Sequence, residues 1–107
     1  MSLHYSYRVF WSPEDDEFVG TCLEFPSLSH LDADPGEALR GIVDLVEFTV
    51  KDLQDSGEPV PTPLADRTFS GNFMIRTSPD LHRRLTIEAS EQGVSLNKFV
   101  NEKLANA

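Results

Sequence analysis

The stretch Asn72-Phe-Met-Ile-Arg-Thr77, followed at once by Ser78-Pro-Asp80, decides the fold of the carboxy-terminal third of this chain. Phe73 and Ile75 alternate with residues of a different kind, as in a strand that buries one face. The other face carries Asn72, Met74 and Arg76. In the following triplet the serine can cap a helix, the proline suits its first position and the aspartate suits its first turn. One strand leading directly into a helix is therefore predicted.

Two amphipathic helices are predicted after this strand. The first runs from Pro79 to about Gln92, Gly93 ends it, and Ser95 caps the second. Apolar residues recur at helical spacing in both: Leu81, Leu85, Ala89, Leu96, Phe99, Val100 and Leu104. One strand and two short helices, about 36 residues, cannot bury an adequate core alone. We therefore expect the strand to pair with its copy in a second chain.

Such pairing gives a ribbon with a polar face. Phe73 and Ile75 would lie under four helices, and the opposite face would carry the alternate residues twice. A two-stranded ribbon fits the major groove of DNA, where arginine can pair with guanine and asparagine with adenine. The candidate base-reading residues are Asn72, Met74 and Arg76. Met74 offers apolar contact, for example with a thymine methyl group, or marks weaker reading at that step. The alternative for Arg76 is an exposed strand cation without a role.

The order of these elements resembles a ribbon-helix-helix repressor domain. The residues that carry the resemblance are Phe73-x-Ile-Arg, Pro79-x-Leu-His-x-x-Leu85 and Gly93-Val-Ser-Leu-Asn97. In that family the outward strand residues read bases, and the start of the second helix holds a phosphate. Free amides and the helix dipole favour an anion there. The resemblance assigns the phosphate site to Ser95, Leu96 and Asn97, whereas Arg83 and Arg84 either contact phosphates or only solvate their helix.

Charge is distributed unevenly along the chain. Residues 1–66 carry three basic and fourteen acidic side chains, a net charge of −11, whereas residues 67–107 carry six basic and four acidic ones, a net charge of +2. The acidic part should repel phosphate and attract a basic protein. A turn-like run holds a candidate partner-facing patch: Glu14, Asp15, Asp16 and Glu17. The alternative is an acidic surface that only aids solubility.

The acidic part is predicted to contain a hairpin, a third strand and one long helix. Tyr5–Trp11 and Phe18–Leu23 are rich in aromatic and β-branched residues, with a polar turn between them, and Leu28–Leu31 is a short third strand. Asp34-Pro-Gly-Glu37 predicts a helix start, in which the glutamate can reach back to the amide of the cap. An apolar stripe follows: Ala38, Leu39, Ile42, Leu45, Val46, Thr49, Val50 and Leu53.

These elements predict an α+β protein in three parts. Gly57 ends the long helix, and the prolines that follow favour an extended, stiff chain. We expect an acidic α+β domain at residues 1–58, a Pro-rich linker at 59–70 and a DNA-binding domain at 71–107.

The whole arrangement resembles the HicB antitoxin family. The resemblance rests on Phe25-Pro-Ser-Leu28, the capped helix with Glu37-Ala-Leu39, the Pro-rich exit and the module at 71–107. It implies a truncated RNase H-like fold without nuclease activity in the first domain. It also implies binding of a small basic HicA-like toxin that cleaves mRNA, and repression of the protein's own operon as a homodimer. Pairing of dimers into tetramers stays open, and so does a stand-alone regulator of similar build.

Catalysis is not expected. RNase H chemistry needs several carboxylates converging on divalent metals. The nearest cluster is His30, Asp32 and Asp34, but Asp34 is needed as a helix cap. The sequence calls for no metal and no cofactor. A single cysteine, Cys22, is expected as a small apolar strand residue and fits a cytoplasmic protein, and no apolar run is long enough to cross a membrane.

Overall fold

The computed structural model describes residues 2–107 and confirms the α+β class. Its strands are β1 (Tyr7–Ser12), β2 (Glu17–Cys22) and β3 (Ser29–Asp32), and its helices are α1 (Pro35–Asp55), α2 (Pro79–Glu91) and α3 (Leu96–Ala105). The chain divides into two compact units, residues 1–69 and 70–107. We describe each unit separately.

The first unit is an antiparallel sheet of order β1-β2-β3 with α1 packed on one face. Phe10 pairs with Val19, which pairs with Leu31 on its other side, and this register fixes which residues share a face. Gly20 of β2 faces the helix, because a Cβ at this position would lie 2.9 Å from Ile42 Cγ2. The core beneath α1 consists of Tyr5, Cys22, Phe25, Ile42 and Val46. Cys22 is therefore the buried, free strand cysteine that the sequence predicts.

Helix α1 begins where the sequence predicts, with one difference in its cap. The Asp34 carboxylate accepts a hydrogen bond of 3.0 Å from the Glu37 amide. The predicted return contact from Glu37 is not formed, because Asp32 already accepts the Asp34 amide at 2.9 Å. Glu37 instead pairs with Arg40 at 2.7 Å. Two carboxylates therefore share the capping work that the sequence assigns to one reciprocal pair.

The Pro-rich stretch departs from the prediction of a linker at 59–70. Its first part, Pro59–Asp66, which we call the proline strap, packs onto the first unit. The Tyr5 hydroxyl donates to the Pro61 carbonyl at 2.6 Å, and the Leu64 amide donates to the Glu24 carboxylate at 2.9 Å. Pro63 is buried. Because prolines have no backbone N–H group to donate, the side chains of Tyr5 and Glu24 hold the strap in place of the hydrogen bonds between strands. The first unit thus extends to Phe69.

The second unit consists of an exposed segment and two helices. Ser78 caps α2 by accepting the Leu81 amide at 3.1 Å, and Ser95 caps α3 by accepting the Lys98 amide at 3.1 Å. Gly93, with φ of 70°, turns the chain between the helices. In residues 2–107 no helix combines the length and apolar character that a membrane-spanning helix requires.

Candidate nucleic-acid interface

The segment predicted as the base-reading strand is an open stretch of chain. Residues 72–77 are all exposed, with Phe73 at 77%, Met74 at 79% and Ile75 at 56%. They form no β-strand, because a strand needs a hydrogen-bonded partner and none of the described residues supplies one. An isolated chain thus leaves large apolar side chains and a row of backbone groups in water.

Side-chain placement in this segment agrees with the predicted alternation at residues 73–76 but not at Asn72. Ile75 lines an apolar groove of about 460 Å³ formed with both helices. The other lining residues are Thr77, Leu81, His82, Leu85, Leu96, Val100, Lys103 and Leu104. Phe73 and Asn72 line a second groove on α3 with Asn97 and Asn101, whereas Met74 and Arg76 line neither groove. Asn72 therefore lies beside Phe73 in the second groove rather than with Met74 and Arg76, where the alternation predicted it.

The predicted phosphate site lies at the start of α3. The Ser95 hydroxyl is already engaged with the Lys98 amide. The amides of Leu96 and Asn97 belong to the first turn, where no helical carbonyl can accept them. The geometry therefore offers an anion two backbone donors and the positive end of a helix dipole.

Two arginines of α2 occupy its solvent side. Arg83 and Arg84 are exposed, and neither forms an ion pair within the described residues. Arg83 borders a shallow depression with Pro79, His82, Thr86 and Ile87. Both side chains are thus free to contact phosphate, and free also to be merely solvated.

The sequence interpretation missed Lys103 as a lining residue of the apolar groove. Its position follows from helical spacing, since it stands seven residues after Leu96 and three after Val100. Its ammonium lies 5.4 Å from the centre of the Phe99 ring. A lysine can line such a groove with its alkyl chain while its charged end stays in water.

Three residues of the predicted acidic patch lie in the turn between β1 and β2, and the fourth, Glu17, is the first residue of β2. Glu14, Asp15 and Asp16 are exposed, and Asp16 adopts a φ of 53°, which the turn requires. Asp15 is held by Ser12, whose hydroxyl donates to its carboxylate at 2.8 Å. No ion pair involves these carboxylates in the part of the chain that the structure describes. Their charge is therefore directed to solvent.

The residues considered for nuclease chemistry serve the helix start. Asp32 and Asp34 each accept a backbone amide at the start of α1. The His30 ring lies against Gly41, where a Cβ would meet it. Among residues 2–107 no three His, Cys, Asp or Glu side chains group in a way that could hold a metal ion.

The second unit and the proline strap together resemble a known family. Residues 56–104 match the HicB family model. The HicB match begins at the C-cap of α1 and takes in the strap, segment 72–77, α2 and most of α3. It does not include the sheet or α1. Two parts of the HicB resemblance seen in the sequence, at residues 25–28 and 37–39, therefore lie outside the match. No curated protein and no solved structure matches the chain.

Proposed function

We propose that this chain is a HicB-type antitoxin that also represses its own operon and has no catalytic activity. In this proposal the second unit forms a homodimer that binds double-stranded operator DNA. The first unit binds and neutralises a small basic HicA-like toxin. The match of residues 56–104 to the HicB model supports an antitoxin-like role.

The observation that carries the proposal is the exposed segment 72–77, which has no strand partner among the described residues. Phe73 and Ile75 are exposed, although side chains of this size are normally buried, and Ile75 lines an apolar groove. Only Ala89 and Phe99 are buried in the second unit. Pairing of two such segments as antiparallel strands would satisfy the backbone groups and cover the apolar side chains together.

DNA recognition would then use Met74 and Arg76, which line neither groove, and Asn72, which would have to leave the second groove when the strands pair. Two copies of Asn72, Met74 and Arg76 enter the major groove, where Arg76 can donate two hydrogen bonds to guanine and Asn72 can pair with adenine. The amides at the start of α3, in Leu96 and Asn97, hold a backbone phosphate and set the register. The net positive charge of residues 67–107 favours this contact.

A mobility-shift assay on the DNA upstream of the protein's own gene tests the DNA-binding half. Arg76→Ala should cost about 1–3 kcal/mol of specific binding free energy, the usual value of a bidentate base contact. Arg40→Ala is the matched control, because Arg40 is an exposed arginine of α1 that already pairs with Glu37. Equal operator affinity of wild type and Arg76→Ala would contradict the assignment.

A stand-alone dimeric regulator is the second candidate, and one observation favours it. The HicB match leaves out residues 2–55, which hold the sheet and α1. The two candidates differ in one experiment, copurification with a small basic protein encoded beside this gene. Copurification is expected of an antitoxin, whereas operator binding that is indifferent to every such protein is expected of a stand-alone regulator.

A further inference from the structure

One face of the first unit's sheet lies opposite α1 and carries an apolar row. Helix α1 packs against the face that contains Gly20 and Cys22. Because side chains alternate, the other face carries Arg8, Phe10, Val19, Thr21 and Leu31. We call these five residues the open face.

The middle of the open face is apolar across all three strands. Phe10, Val19 and Leu31 are direct cross-strand neighbours. Val19 is buried by its neighbours, but Phe10 and Leu31 remain 36% and 38% exposed. Three aligned apolar side chains on a three-stranded sheet provide a flat, preformed surface of the kind that forms the centre of protein interfaces.

The border of the open face is acidic. Glu17 lies on the same face, two residues before Val19 in β2, and the turn adds Glu14, Asp15 and Asp16. Arg8 is the basic residue of the face, and its guanidinium lies 4.9 Å from the centre of the Phe10 ring. The charge along this border is therefore strongly negative.

The negative charge along this border limits which kind of partner can bind the open face. A second copy of the chain would bring the same carboxylates together, and nucleic acid would bring phosphates against them, so both are disfavoured. A partner with a basic rim around an apolar centre is favoured. We propose that the open face is the docking surface for a small basic protein, which rests on the proposed function and assigns it a location.

Binding of the full-length protein to the small basic protein encoded beside its gene tests the proposal. Phe10→Thr and Leu31→Thr introduce a β-branched side chain, which suits a strand, and remove the exposed apolar area. Each should raise the dissociation constant about tenfold or more, as expected of residues at the centre of an interface. Thermal unfolding of each variant establishes that it is folded.

Phe48→Ala is the matched control. Phe48 is 71% exposed on α1, and Asp44 and Asp52 stand four residues to either side of it. Like Phe10, it is an exposed apolar side chain near carboxylates, but it lies on the helical side of the unit. It lies about 20 Å along α1 from the helix start. The dissociation constant of the Phe48→Ala variant for the small basic protein should change less than about twofold, as for a residue outside the interface.

The contribution of the acidic border is tested by the rate of association with the small basic protein. Glu14→Gln, Asp16→Asn and Glu17→Gln together keep Asp15 and its contact with Ser12. This triple variant should slow association several-fold at low ionic strength, and the difference should vanish at high salt. Hydrogen exchange of the wild-type complex should show added protection in β1 and β3.

The outcomes separate this inference from the proposed function. Wild-type binding that survives Phe10→Thr and Leu31→Thr, or that is lost on Phe48→Ala, overturns the open face and leaves the antitoxin role standing. Failure of the wild-type protein to bind overturns both.

Discussion

At the residue scale, Glu24 shows how one carboxylate can join distant parts of the chain. It accepts the amides of Ser6 and Leu64, each at 2.9 Å, and the Ser6 hydroxyl at 3.2 Å. Burial by itself would raise the pKa of the Glu24 carboxyl, but the hydrogen bonds from Leu64 and Ser6 outweigh it and hold this pKa below its usual value. The charged form is therefore the one that secures the proline strap.

Glu24→Gln should destabilise the first unit by about 1–3 kcal/mol at neutral pH, because the amide group places a donor where two donors already converge. A carboxyl whose pKa is lowered on folding contributes stability above its unfolded pKa of about 4.5, and this contribution is lost as the pH falls through the folded value. The difference between wild type and variant should therefore shrink, in urea unfolding, as the pH is lowered from neutral through the folded pKa of Glu24. Glu58→Gln, at an exposed carboxylate, is the control, and a constant difference at all pH values would contradict the role of Glu24.

At the element scale, the close approach of β2 and α1 depends on Gly20. A Cβ on this residue would lie 2.5 Å from the Ala38 carbonyl oxygen, which belongs to the helix backbone and cannot move alone. Gly41 of α1 contrasts with it, since a Cβ there would meet the His30 ring, the end of a side chain on an edge strand. The two glycines thus face obstacles of different stiffness.

Gly20→Ala should lower the free energy of unfolding of the first unit by about 1–3 kcal/mol, as overpacking does. Gly41→Ala should change it by less than about 1 kcal/mol, because the gain in helix propensity offsets the displacement of His30. Chemical denaturation of both variants measures the contrast. Equal effects at the two positions would show that the helix shifts freely on the sheet.

At the scale of the whole molecule, the two units differ in how much they bury. The first unit has a continuous core under α1, with Tyr5 and Phe25 in edge-to-face contact at 5.2 Å. The second buries Ala89 and Phe99 and leaves Phe73 and Ile75 in water. We predict that a unit of this size with so little burial is unstable as a single copy.

The full-length protein is therefore expected to sediment as a dimer at micromolar concentration, with a melting temperature for the second unit that rises with protein concentration. Ile75→Ser should produce a monomer, because it removes an apolar side chain from the groove. Met74→Ser is the control and should remain dimeric, since Met74 lines no groove. A wild-type monomer with an undiminished melting temperature would remove the basis for the DNA-binding proposal.

The helices and their ends follow from local signals in the sequence. Asp34, Ser78 and Ser95 each cap a helix as predicted, and Gly57 and Gly93 adopt positive φ values after α1 and α2. These signals are local, because a cap and its amide stand three residues apart, and periodicity likewise marks α1 and the hairpin without reference to distant residues.

The contacts between residues distant in sequence depend on tertiary packing. Tyr5 contacts Pro61 across 56 residues, and Glu24 contacts Leu64 across 40 residues. No local sequence pattern predicts these pairs. The open face likewise depended on which face of the sheet α1 covers, since alternation makes two faces but does not choose between them. Local rules fix elements, whereas burial and hydrogen-bond satisfaction over the whole unit fix how the elements meet.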